Sequence, residues 1–289
     1  MRDPRPVFRF APSPNGELHL GHALSALIGY EQAQRAGGRF LLRIEDIDQG
    51  RSREAFVAGI LEDLRWLGIG WEEPVAFQSQ RFDAYGAAAA RLGAMGLLYP
   101  CFATRSEIEA AASGALDPDG APLYPGLWKG RAVAEIELQK GAGTPCALRI
   151  DMAAARRLAA ERLHGSPLTF TETGEDAAGR AVAAAPEWWG DAVIVRKDVP
   201  TSYNLAVVVD DAWQGVTHVT RGLDLFAATD LHRLLQVLLE LPAPIYHHHR
   251  LIMDASGRKL SKSARDTSLK SLRERGMTKA DVRRLVGLA

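Results

Sequence analysis

The chain has 289 residues, 47% of them hydrophobic and 24% charged, with a formal net charge of zero. These values fit a soluble globular enzyme with a substantial core of one large or two medium domains, and they exclude a globally basic nucleic-acid binder, so any RNA contact must come from a local patch. Two cysteines, Cys101 and Cys146, give no disulfide framework; Met1 to Pro6 is charged and proline-rich, unlike a signal peptide; and no apolar run reaches the ~18 residues a membrane span needs. A reducing cytoplasm is the expected compartment. No internal repeat is visible.

In chain order, an apolar strand over Val7 to Ala11 runs into Pro12-Ser13-Pro14-Asn15-Gly16, a turn by composition. An apolar-periodic helix follows, with Leu20, Ala23, Leu24, Leu27 and Ile28 on one face. Strand, tight turn and helix N-terminus together make a receptor for phosphate, since the free N–H groups and the dipole both favour an anion. His19 and His22 lie on one face of the first turn, and Gly21 leaves room for a ligand to approach the backbone. Arg39 to Ile44 reads as a second strand ending in Glu45-Asp46-Ile47-Asp48, where acidic residues face the crevice of an open α/β sheet. Glu45 suits a ligand ammonium; Asp48 serves equally as a helix cap. Helices over Arg53 to Leu67 and Arg81 to Met95 are closed by Gly68 and Gly96. Residues 1–98 thus read as the first βαβα half of a doubly wound parallel sheet.

Residues 99–190 are irregular and read as an insertion domain, with a Gly/Pro/Asp run over Ser113 to Gly126, a helix over Met152 to Leu163 and a loop from Glu172 to Pro186. Residues 191–250 read as the second half of the sheet. Strands are expected at Ala192 to Arg196, Asn204 to Val209, Val216 to Thr220 and Tyr246 to Met253, and a helix over Asp230 to Leu241. His247, His248 and His249 are adjacent on a strand and alternate faces, so they cannot all bind one metal ion. Residues 251–289 hold a basic, turn-rich loop, Asp254-Ala255-Ser256-Gly257-Arg258-Lys259-Leu260-Ser261-Lys262-Ser263, and two short terminal helices. By itself the loop reads as a solvated basic turn; beside the helix N-terminus it reads as a lysine clamp for a nucleoside triphosphate. Neither G-x-x-x-x-G-K-[ST] nor G-x-G-x-x-G occurs, which excludes a P-loop enzyme and a standard dehydrogenase.

His19-Leu20-Gly21-His22 resembles the HIGH motif, and Lys259-Leu260-Ser261-Lys262-Ser263 the KMSKS motif, of class I aminoacyl-tRNA synthetases. The longer string from Arg9 to His22, with Arg43-Ile44-Glu45-Asp46, resembles the glutamyl branch. Only Ser268 to Ala289 follows the lysine loop, so the chain looks like the truncated paralogue family, the glutamyl-Q tRNA(Asp) synthetases, without an anticodon-binding domain. The resemblance implies ATP-dependent activation of L-glutamate with Mg²⁺ and its transfer to the queuosine base in the anticodon stem-loop of tRNA(Asp), by a monomer. His19, His22, Lys259 and Lys262 are the implied catalytic residues. ATP would contact Ser13, His19, Gly21, His22 and Lys262. Glutamate would contact Arg9, Phe10, Ala11, Pro12, Ser13, Glu45, Tyr203 and Arg221, the arginines facing its carboxylates and Glu45 its ammonium. An unpaired arginine in an apolar strand is costly, which favours a functional partner for Arg9. Arg221 reads equally as an ordinary ion pair, and Tyr203 as core. The zinc site usual in the family's insertion is degraded here: Ala103 stands where a second cysteine belongs and Trp128 where a third belongs, leaving Cys101 and Tyr124, so zinc is expected to be absent and these side chains to be buried.

Three other readings stand beside this one, among them a non-catalytic tRNA-binding or regulatory paralogue, which intact His19, His22, Lys259 and Lys262 disfavour. A minimal glutamyl-tRNA synthetase would charge a tRNA 3′ end. A HIGH-type nucleotidylyltransferase or ligase would use a small-molecule acceptor. A basic face including Arg250, Arg258, Arg273 and Arg275 is the expected tRNA-facing surface.

Overall fold

The computed structural model describes residues 3–174, 178–253 and 268–288. Lys259 and Lys262, with the rest of the lysine loop, lie outside the described residues. The order of elements is β1 (Val7–Phe10), α1 (Leu20–Arg35), β2 (Arg39–Ile44), α2 (Glu54–Trp66), β3 (Glu72–Phe77), α3 (Phe82–Ala94), β4 (Leu98–Cys101), α4 (Arg105–Ala111) and α5 (Val133–Gly141). Then come β5 (Ala147–Ile150), α6 (Met152–Arg162), β6 (Thr169–Thr173), β7 (Gly179–Ala183), β8 (Val193–Val195), α7 (Tyr203–Gln214) and β9 (His218–Gly222). The chain closes with α8 (Ala228–Leu239), β10 (Ile245–His249), α9 (Leu269–Glu274) and α10 (Lys279–Leu285).

The main sheet runs β3-β2-β1-β9-β10-β6-β7, parallel except for the β6–β7 hairpin. Strand order reverses between β1 and β9, and the carboxyl ends of those two strands open the crevice where such sheets bind ligands. Residues 99–190 are divided between two sheets. Strands β4 and β5 make a small antiparallel sheet with β8, which lies within the segment Ala192 to Arg196, expected in the second half of the main sheet, but pairs with β5 instead, while β6 and β7 join the far edge of the main one.

Three further expectations need correction. Asn204 to Val209 is helical, not a strand, because it lies inside α7: the Ser202 hydroxyl caps the Leu205 N–H and Gly215 ends the helix at φ +68°. Its Val run is buried between neighbouring helices, so apolarity on several faces imitates a buried strand. Glu72–Phe77, read as a connection, is a strand that pairs with β2 and contains the cis peptide Glu73–Pro74. The expected loop from Glu172 to Pro186 contains the end of β6 and all of β7.

Helices α9 and α10 dock on the first half. Leu269, Leu272, Val282 and Val286 are buried in one core cluster with Leu24, Leu27, Ile60 and Leu64. Leu269 N–H donates to the Leu18 carbonyl at 2.8 Å, and Ser268 bridges His19. Arg273 pairs with Glu62 and Asp63, Arg283 with Glu31, and Arg250 donates to the Val286 carbonyl. Of the arginines expected on an RNA-facing surface, Arg273 is half-buried and engaged by two carboxylates, and Arg250 stays exposed while its guanidinium is held by a helix end. Truncating the fully buried Leu269 removes this anchor; Leu269→Ala should cost about 2–5 kcal/mol, read as a lower urea midpoint at unchanged slope.

Candidate active site

A cavity of about 460 Å³ opens at the β1/β9 reversal. It is lined by Arg9, Phe10, Ala11, Pro12, Ser13, His19, Gly21, His22, Glu45, Tyr203 and Arg221, together with Thr220, His249 and Ile252. All the predicted site residues among the described ones therefore share one cavity.

The α1 N-terminus forms part of the wall. His19 Nδ1 accepts from the Gly21 N–H at 3.1 Å, and His22 Nδ1 accepts from the His19 N–H at 3.1 Å. The two rings lie 3.8 Å apart between centroids. With both Nδ1 atoms accepting from the backbone, each neutral ring carries its proton on Nε2, a donor suited to phosphate oxygen. Gly21 has a more specific task than leaving a general approach: a Cβ there would stand 2.9 Å from the His19 ring.

Arg9 and Glu45, on the same cavity wall, belong to a buried network of charge. Arg9 grips Asp211 with two nitrogens, at 3.1 and 3.3 Å. The wholly buried Arg43 donates to Asp211 at 2.7 Å, to Gln214 at 2.9 Å and to Glu45 at 3.1 Å. Burial would lower the pKa of Arg43, but Asp211, Glu45 and Asp210 hold it above its ordinary value. Burial pushes the Asp211 carboxyl up, and Arg9 with Arg43 more than reverse this, holding it at about 2. For Glu45 burial wins over the pull of Arg43 and Arg9 and raises its pKa; a ligand ammonium would stabilise its charge. Asp46 serves structure, accepting from the Ser79 N–H at 2.8 Å and the Ser79 hydroxyl at 2.6 Å. Asp48 pairs with Arg51 at 2.7 Å.

Arg221 is held differently. It donates to His248 Nε2 at 3.1 Å, to His232 Nδ1 at 3.2 Å and to the Thr229 hydroxyl at 2.6 Å, and lies over the Tyr246 ring. Among the described residues no carboxylate pairs with it, so the ordinary ion pair considered for it does not form there. Tyr203, the first residue of α7, has a hydroxyl pushed up by burial and stands beside the His232 ring.

The three adjacent histidines have three separate surroundings. His247 meets the Thr173 carbonyl, His248 joins Glu172 to Arg221, and His249 contacts Ser25 and the Arg250 carbonyl. Among the described residues no group of three or more His, Cys, Asp or Glu is placed to hold a metal. In the small sheet, Cys101 Sγ lies 3.4 Å from the Tyr124 hydroxyl, which accepts from the Trp128 N–H at 2.8 Å. Cys101 is buried, whereas Tyr124 and Trp128 are only half-buried, because Arg149 and Arg131 cover their rings in place of a packed core.

Sequence reasoning missed Arg43, Asp211, Thr229, His232, His248 and Glu172. Arg43, like Arg9, is an arginine in an apolar strand, where burial demands a partner. Asp210-Asp211 inside an apolar helix carries the complementary signal.

A family model for the class I tRNA synthetases (E and Q), catalytic domain, matches residues 7–288, and the chain belongs to that class. It is 46% identical over 302 residues to a Rhodobacter capsulatus protein named glutamyl-Q tRNA(Asp) synthetase, an alignment spanning 98% of this chain and 100% of that one. A Symbiobacterium thermophilum protein of the same name is 39% identical over 279 residues, covering 93% of this chain and 81% of its own length. Within the class, the chain is a member of the glutamyl-Q tRNA(Asp) synthetase family. A crystal structure of glutamate-tRNA synthetase from Elizabethkingia anophelis superposes with a TM-score of 0.70 at 26% identity over 94% of this chain. The chain spans about half the length of that synthetase, 54%. No helix among the described residues is long and apolar enough to cross a membrane.

Asp211 neutralises two buried guanidinium groups. Asp211→Asn should destabilise the fold by about 3–5 kcal/mol, measured by chemical denaturation. In the unsubstituted chain the Arg9 and Arg43 guanidinium groups hold its carboxyl at about 2, below the ordinary aspartate value of 3.8. Its contribution is therefore complete above pH 3.8 and is lost as the pH falls toward 2, a step in acid unfolding that Asp211→Asn should remove.

Proposed function

We propose that the chain activates L-glutamate with MgATP to glutamyl-adenylate, and then transfers glutamate to a hydroxyl of the queuosine base in the anticodon of tRNA(Asp). The observation that carries this is the cavity's lining. Two histidines and a helix N-terminus share its wall with two arginines and Glu45, so groups suited to a triphosphate and to a zwitterionic dicarboxylate meet in one cavity. The names of the Rhodobacter and Symbiobacterium relatives favour the queuosine acceptor over a tRNA 3′ end.

In the first step a glutamate carboxylate oxygen attacks the α-phosphorus, an O–P bond forms, and pyrophosphate leaves. The protein supplies no nucleophile; it aligns the two substrates and stabilises charge growing on the phosphates. His19 and His22 serve the α-phosphate through Nε2–H. Mg²⁺ enters with the nucleotide and shares the phosphate charge. Lys259 and Lys262 would neutralise the leaving pyrophosphate; Ile252 in the cavity wall and Ser268 beside His19, which flank that segment, support this role. In the second step the acceptor hydroxyl attacks the activated carbonyl and AMP departs. Arg9 and Arg221 bind the glutamate carboxylates, Glu45 the ammonium, and Tyr203 with Ala11 to Ser13 complete the wall. The module built on β4, β5 and β8 is the acceptor-side domain, and the Cys101–Tyr124 contact with Trp128 in a ligand's place supports a zinc-free form of it. The enzyme acts as a cytoplasmic monomer.

The test combines the protein, MgATP, labelled glutamate and total tRNA, followed by nuclease digestion and mass spectrometry. Label on the queuosine nucleoside is expected. Label on a terminal adenosine, or pyrophosphate release without labelled RNA, would overturn the assignment. Lys262→Ala should lower the activation rate by more than it weakens glutamate binding, measured by pyrophosphate exchange against glutamate concentration; equal effects would remove the lysine from the transition state.

A further inference from the structure

Arg9 and Arg221 face the same cavity, but their backing differs. Arg9 shares its charge with Asp211, whereas the acceptors around Arg221 are two imidazoles and a hydroxyl. Strand register explains the first imidazole. On β10, His248 stands opposite Arg221 of β9, and Tyr246 stands opposite Glu172 of β6. Glu172 reaches His248 with both oxygens, accepting from its backbone N–H at 2.8 Å and contacting its Nδ1 at 2.7 Å. The second imidazole comes from α8, where His232 contacts Asn204 Oδ1 through Nε2 at 2.9 Å.

The proton positions follow from donor and acceptor counting. An arginine can only donate, so each imidazole nitrogen facing Arg221 must be the unprotonated one. Glu172 accepts the Nδ1–H of His248, and Asn204 the Nε2–H of His232. Both rings are therefore neutral, in opposite tautomers. Burial lowers the pKa of each, for His232 reinforced by Arg221 and for His248 opposed by Glu172 but aided by Arg221. Glu172 and His248 are both almost wholly buried.

We propose that His232 and His248, with Glu172 fixing the tautomer of His248, are positioning residues that orient Arg221 without neutralising it, so that its positive charge is kept for a substrate carboxylate. A carboxylate in place of either imidazole would orient the guanidinium equally well but would compete with the substrate. This inference rests on the reading that Arg221 binds glutamate. Glu172, outside the cavity lining, acts through His248 and touches no substrate.

The test begins with the unsubstituted protein. Imidazole ¹⁵N NMR should find His248 protonated at Nδ1 and bare at Nε2; a proton on Nε2 overturns the proposal whatever the enzyme does. The second arm is steady-state kinetics of glutamate-dependent pyrophosphate exchange. In E172Q the amide can accept from only one of the two His248 N–H groups, and the ring proton moves to Nε2, against Arg221. The KM for glutamate should rise by about tenfold or more, with the KM for ATP unchanged. H248Q presents a carbonyl oxygen to Arg221 without depending on Glu172. The rise in KM should therefore be smaller, and adding E172Q to H248Q should change little. An E172Q enzyme with unaltered glutamate KM, or a double variant showing the full sum of the single effects, would overturn the tautomer role. Failure of the unsubstituted protein to exchange pyrophosphate with glutamate would instead overturn the substrate reading, and the NMR result would still judge the cradle.

Discussion

The site depends on the burial of several charges at the junction of the two halves of the sheet. Asp211 of α7 stands between Arg9 of β1 and Arg43 of β2, and Arg43 in turn holds Glu45. Each charge alone would be costly in a dry interior; together they are mutually compensating, although the buried Arg43 Nε has no hydrogen-bond partner of its own. The arrangement is not a cheap way to stabilise a fold, since apolar side chains would fill the same space at no electrostatic cost. Its effect is geometric. It fixes Arg9 of β1 and Glu45, just past the end of β2, on the wall of one cavity, and it does so through a helix from the other half of the chain.

Two designs for presenting a guanidinium coexist in one cavity. Arg9 belongs to an ion cluster, so its position is strongly determined but its charge is partly met within the protein. Arg221 is ringed by neutral acceptors and an aromatic face, which determine its position and leave its field largely intact. Before any substrate enters, the cavity thus holds one guanidinium compensated by a carboxylate, Arg9, and one held by neutral acceptors, Arg221. The α1 N-terminus adds a further positive end beside His19 and His22.

Much of this was legible in the sequence because local rules and fold agree. Strand, proline turn and His-rich helix N-terminus follow directly from Val7 to His22, and glycines at 68 and 96 end the helices that the apolar period predicts. The α7 segment was not legible from its interior, since Val207-Val208-Val209 suits a strand as well as a buried helix; its caps, Ser202 and Gly215, carried the better information. Strand β3 was hidden by Pro74 and by its position at the sheet edge, where a proline is tolerated. The partners of Arg221 could not be read at all, because they come from α8 and β10, with Glu172 of β6 behind them, and only strand register and helix packing bring them to β9. The histidine triplet illustrates the same limit: period-2 alternation excludes a shared metal, but it does not say that the middle ring would join a carboxylate to an arginine.

Strand β1 lies at the centre of the sheet, yet its partner β9 is far off in sequence: the Val7 N–H donates to the Thr217 hydroxyl across 210 residues. On the ribosome, β1, β2 and β3 are complete long before β9 exists. Until then the growing chain presents one open edge of β1, with Phe8 and Phe10 beside it, to any passing strand. Pairing of such distant segments is slow as well as late. The strand order that creates the ligand crevice therefore also sets a period during synthesis when the chain is most exposed to mispairing, and when a chaperone would have the most to protect.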